Sequence, residues 1–142
     1  MEYDFEKLAK EFVIERLKDV EDPYSLAGEA VRKILVAALP TTRDKQEPRV
    51  TVSATCRGIM SGMLLIEKDL PKTAVALLTQ TAQVADESGL DPADCMTWAM
   101  EGIAPVAKMG HGSSVDAVSN AIEENFMGAG DVFNNIARTA GA

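Results

Sequence analysis

Between Val50 and Ile66 the chain runs for seventeen residues with a single charge, Arg57, and the rest of the stretch is apolar, small or hydroxyl-bearing. Read as a helix, it places Val52, Thr55, Ile59, Gly62, Met63 and Ile66 together, while Ser53, Arg57, Ser61 and Lys68 form the only polar strip. A helix with so narrow a wet face has to be covered by several neighbours, which puts it at the centre of whatever forms. An arginine near the midpoint, with serines and threonines around it, makes a membrane span an expensive alternative. The β-branched start, Val50-Thr51-Val52, also suits a strand. No second strand-like run exists to pair with it, and a lone strand leaves its backbone groups unsatisfied.

The remainder reads as amphipathic helices separated by clear punctuation. Residues 2–20 repeat Phe5, Leu8, Ala9, Phe12, Val13, Leu17 and Val20 at helical spacing, against a charged outer face. Asp22-Pro23 opens a second helix, since the carboxylate can accept an orphan N–H and proline suits the first helical position. That helix turns Leu26, Ala30, Ile34 and Leu39 inward and is expected to stop at Pro40. Thr41 to Arg49 reads as a polar crossover loop. The central helix is expected over about 50–69. Pro71 then opens a fourth helix, which Gly89 ends. Asp91-Pro92 repeats the acid-proline start, and a fifth, narrowly wetted helix follows to about residue 109, with Pro105 expected to bend it. Val115, Val118, Ala121, Ile122 and Phe126 mark a sixth helix, and Val132, Phe133, Ile136 and Ala137 a short seventh that docks through them. The expected fold is therefore all-α: one domain over 1–142, a bundle of six or seven helices, with those over about 50–69 and 92–109 most buried.

Composition limits what such a bundle can do. Aromatic residues make up only 5% of the chain, so the core has to be filled by Ala, Val, Leu, Ile and Met, whose small size lets helices approach closely. A formal charge of −8 repels phosphate backbones and anionic bilayers, and the basic residues are scattered rather than gathered on one face. Nucleic acid and membrane are therefore not expected partners. Cys56 and Cys95 lie inside apolar helical patterns and read as buried free thiols in a reducing compartment, which points to the cytoplasm. One histidine excludes a di-iron carboxylate bundle or a multi-imidazole zinc site, and no Walker loop, G-x-S-x-G or C-x-x-C motif is present. Methionines such as Met60, Met63, Met96 and Met100 read as flexible packing rather than as ligands. No cofactor is expected.

Three features carry chemistry beyond packing. Arg57 on the central helix and Glu101 on the fifth are placed to pair if their two polar strips face each other, with Trp98 as an apolar wall beside a bound carboxylate or phosphate, although the favoured reading is that both strips face water or form a purely structural ion pair. Gly110-His111-Gly112-Ser113-Ser114 could hold an anion at a helix N-terminus through Ser113 and His111, although the same residues read simply as a helix stop and a cap. Gly58 and Gly62, four apart, permit a close helix crossing, either within the chain or between two copies. Two nearly fully apolar helices and the absence of a catalytic constellation support a non-catalytic interaction or scaffold protein that self-associates through helix faces, with another protein as the other candidate partner. The alternative is a binding protein or enzyme for a small anionic ligand at Arg57, Trp98, Glu101, His111 and Ser113.

Overall fold

Seven helices account for most of the computed structural model, which describes residues 4–139 other than 43, 111 and 113. They are α1 (Phe5–Arg16), α2 (Pro23–Thr42), α3 (Pro48–Leu65), α4 (Leu70–Ser88), α5 (Pro92–Met109), α6 (Ser114–Asn125) and α7 (Ala129–Thr139). No strand occurs among the described residues. The all-α bundle read from the sequence is the fold observed.

Acid-proline pairs start three of these helices. The Asp22 carboxylate accepts the N–H of Ser25, and that of Asp91 accepts Ala93 and Asp94, so orphan donors of α2 and α5 are met by side chains. Glu47-Pro48 is the third, and it moves the start of α3 two residues ahead of the expected boundary. Arg49 thereby becomes a helical residue instead of a loop residue. Pro40 does not stop α2, which continues through it to Thr42. Only the last turn is affected, and there the Thr41 and Thr42 hydroxyls donate back to the Ala37 and Ala38 carbonyls, holding the end of the helix together. Pro105 likewise lies within a continuous α5.

The expected pillar is α3. It packs against α1 and α5 and touches α2 and α4. Val52, Cys56, Ile59, Met60 and Met63 are buried, and burial of each large side chain contributes about 1.5–3 kcal/mol. Thr51 and Thr55 are buried too, the first accepting from the Gln46 amide and the second donating to the Thr51 carbonyl. The second narrowly wetted helix, α5, lies against α3, α4 and α7, with Ala99, Ile103, Ala104, Val106 and Ala107 inside.

Small residues set the closest approaches. A methyl group at Gly58 would stand 2.2 Å from the Glu6 carbonyl oxygen of α1, and one at Gly62 would stand 2.7 Å from Val13. The glycine pair is therefore occupied by a crossing within the chain. A two-copy crossing through Gly58 and Gly62 is excluded because α1 already covers that face.

Candidate docking groove

Because α1 lies along α3, it scarcely touches α2, its neighbour in sequence. Of the residues expected to turn inward from α1, Ala9, Val13 and Leu17 are buried against the core, whereas Leu8 is 52% exposed and Phe12 is 37% exposed. Leu26 at the start of α2, also expected inside, is 36% exposed. These corrections share one cause. The glycines of α3 draw the small-residue side of α1 down onto α3, and the larger side chains on its flank are left facing α2 across an open gap.

The gap is a groove of about 250 Å³ lined by Leu8 and Phe12 from α1 and by Leu26, Ala30 and Ile34 from α2, with Glu29 and Lys33 along its rim. On the other side of that rim lies a second depression of about 260 Å³, bounded by Arg32, Val36 and Glu87. Arg32 there pairs with Glu87 of α4. The outer face of α2 is thus a ridge between two depressions, and the first is walled almost entirely by apolar side chains. An apolar groove with a sparse charged rim binds a helix more readily than a small polar solute.

Among the described residues, those nominated from the sequence do not converge. Arg57 reaches Glu6 of α1 at 3.7 Å, both side chains remaining nearly half exposed. Glu101 is held instead by Arg49, whose Nε and Nη2 donate to the two carboxylate oxygens at 2.9 and 2.6 Å. That bidentate hydrogen bond, then the charge of Glu101, raises the Arg49 pKa above its ordinary value. The conditional Arg57–Glu101 pair is therefore not formed, although α3 and α5 do pack together, and Arg57 stays nearly half exposed as the water-facing alternative has it. Arg57 precedes Gly58, which is seated on Glu6, so its side chain leaves toward α1. Arg49, two turns earlier, takes the carboxylate. Trp98 is half-buried against the core. His111 and Ser113 lie outside the described residues; of their neighbours, Gly110 follows the last turn of α5 and Gly112 has a left-handed φ of +57°.

Arg49 was hidden from sequence reasoning because the polar run that contains it reads as a loop, and the signal that places it on a helix is the Glu47-Pro48 pair. Around Arg49 and Glu101 lies an open depression shared with Ser53, Ile136 and Thr139. The Arg49 guanidinium is already neutralised by the carboxylate, so it offers an incoming anion no uncompensated positive charge. Among the described residues no cluster of three or more His, Cys, Asp and Glu is arranged to hold a metal ion. None of the described helices is long and apolar enough to cross a membrane. No protein-family model, curated protein or solved structure matches the chain.

Proposed function

We propose that the protein is a non-catalytic helical interaction module that works through the α1–α2 face, with a second copy of the same chain as its simplest partner. One observation carries this reading: the apolar groove between α1 and α2 in which Leu8, Phe12 and Leu26 stay exposed. A partner helix laid there removes that apolar surface from water at about 25 cal/mol per Å². The two central helices have their apolar faces covered within the chain, so the interaction role moves from α3 and α5 to the outside of α1 and α2.

Light scattering on the eluting peak, from low to high micromolar protein, tests this directly. Self-association gives a mass that rises toward twice that of one chain, and Leu8→Glu or Phe12→Glu keeps the mass at one chain with the helical circular dichroism unchanged. A wild-type chain that stays single at the highest concentration removes the reading. Both substitutions fall at exposed positions, so loss of the dimer in a folded variant reports on the face itself.

A further inference from the structure

The outward stripe of α2 is complementary to itself. Leu26, Glu29, Lys33 and Val36 follow one another at spacings of three, four and three, and all four side chains are exposed. Residues at this spacing form a single seam along a helix. When a second α2 is laid antiparallel over the first with a two-fold axis at the level of Val31, Glu29 meets Lys33 of the other copy and Leu26 meets Val36. Each contact then occurs twice, as an isologous interface requires. Among the described residues neither Glu29 nor Lys33 takes part in an ion pair within the chain, so both are free for this role. The wider charge distribution favours the same face. Two chains of formal charge −8 repel one another, yet Glu29, Arg32, Lys33 and Glu87 give the α2 surface equal numbers of each sign.

From this we infer that two copies of the chain dock antiparallel through α2, with reciprocal Glu29–Lys33 ion pairs flanking the two-fold axis and Leu26–Val36 contacts at either end. The inference rests on the proposed self-association and specifies its geometry: Leu26, Glu29 and Lys33 belong to the α2 wall of the groove, so the partner's α2 lies along that wall with Leu8 and Phe12 of α1 beside it. A parallel arrangement would set Glu29 against Glu29 and Lys33 against Lys33, where like charges oppose each other.

Charge reversal separates these arrangements. E29K sets a lysine opposite Lys33 twice, and K33E sets a glutamate opposite Glu29 twice, so each variant alone weakens its homodimer about tenfold or more, as measured by sedimentation equilibrium in low salt. An equimolar mixture of the two variants forms a heterodimer tighter than either homodimer, because every facing pair is then of opposite sign. The double variant E29K/K33E regains wild-type affinity. If the wild type dimerises but E29K or K33E alone dimerises as tightly, as a parallel arrangement requires because its facing pairs are of like sign with or without the substitution, the antiparallel α2 geometry is wrong while self-association stands. If the wild type is a single chain throughout, both fall. Unchanged helical content in each variant shows that a lost dimer is not a lost fold.

Discussion

Gly102 of α5 faces the backbone of Ser53 on α3 so closely that a methyl group at Gly102 would lie 2.2 Å from the Ser53 carbonyl oxygen and 3.0 Å from the Arg57 amide nitrogen. These are backbone atoms and cannot swing aside, so the two most buried helices would have to part. Gly102→Ala gains about 1 kcal/mol in helix propensity and loses more to the forced separation, for a net destabilisation of roughly 1–3 kcal/mol. In a chain of this length that lowers the melting temperature by about 3–10 °C in a thermal unfolding scan. Gly28→Ala is the control. Its nearest neighbour is Gln80 Cγ at 3.2 Å, a side-chain atom that has to give by only a few tenths of an ångström where Gly102 meets backbone, so that variant stays within about 1 kcal/mol of the wild type.

The helix α3 ends through Glu67, a non-glycine residue held at φ +61°. The Lys68 N–H there donates to the Met63 carbonyl at 2.9 Å, closing the turn that leads to α4. A side chain in this conformation costs about 1–2 kcal/mol, which glycine would relieve, less what its greater freedom when unfolded takes back. Glu67→Gly is expected to raise stability by about 0.5–1 kcal/mol, read as a higher urea midpoint at constant slope. The converse holds at the end of α4, where Gly89 has φ +70° and an added methyl group would meet nothing within 4 Å. Gly89→Ala loses about 1 kcal/mol through conformation alone.

On α6, the Glu123 carboxylate accepts the N–H of Gly128 at 2.9 Å and of Gly130 at 3.0 Å, and so caps α7 from the preceding helix. The negative charge sits where the α7 dipole favours it. Glu123→Ala removes both acceptors and is expected to cost about 1–2 kcal/mol, while Glu123→Gln keeps one oxygen and costs less. Amide hydrogen exchange discriminates a local from a global effect: α7 amides exchange faster in both variants, and those of α3 change only as far as overall stability does.

What the amino-acid order made legible was whatever depends on local rules. Asp22-Pro23, Asp91-Pro92 and Gly89 each act where helix chemistry puts them, and the narrow polar strip of Ser53, Arg57 and Ser61 marked α3 as the central member. Relations between distant elements were not legible. Leu8 and Phe12 carry the same periodic signal as Ala9 and Val13, yet only the latter pair finds cover, because glycines some fifty residues away decide how α1 lies. The Arg49–Glu101 pair was lost to a two-residue error at the start of α3, since moving that start changes which arginine joins the helix. The cap that Glu123 places on α7 has no short-range signature, being a carboxylate on one helix meeting the first turn of the next.

Both cysteines are free thiols inside the bundle, Cys56 fully buried and Cys95 1% exposed. Burial, with Cys95 adding to it, pushes the Cys56 thiol from its ordinary 9.0 up to about 12; burial, then the charges of Asp94 and Asp91, pushes Cys95 up to about 11. The reactive form is the thiolate, so neither residue should react with a chromogenic disulfide reagent in the native protein at mildly alkaline pH, and both should react fully once urea unfolds the chain. The same shifts set a pH dependence. Above pH 9 the unfolded chain releases these thiol protons while the folded chain still holds them, so protons are bound in excess by the native state and stability falls as pH rises. That contribution is fully present below pH 9 and is lost progressively up to about 11 for Cys95 and about 12 for Cys56. Replacing Cys56 by Ala should flatten the alkaline fall in the urea midpoint, whereas an alkaline limb of unchanged slope would show that the buried thiol does not govern it.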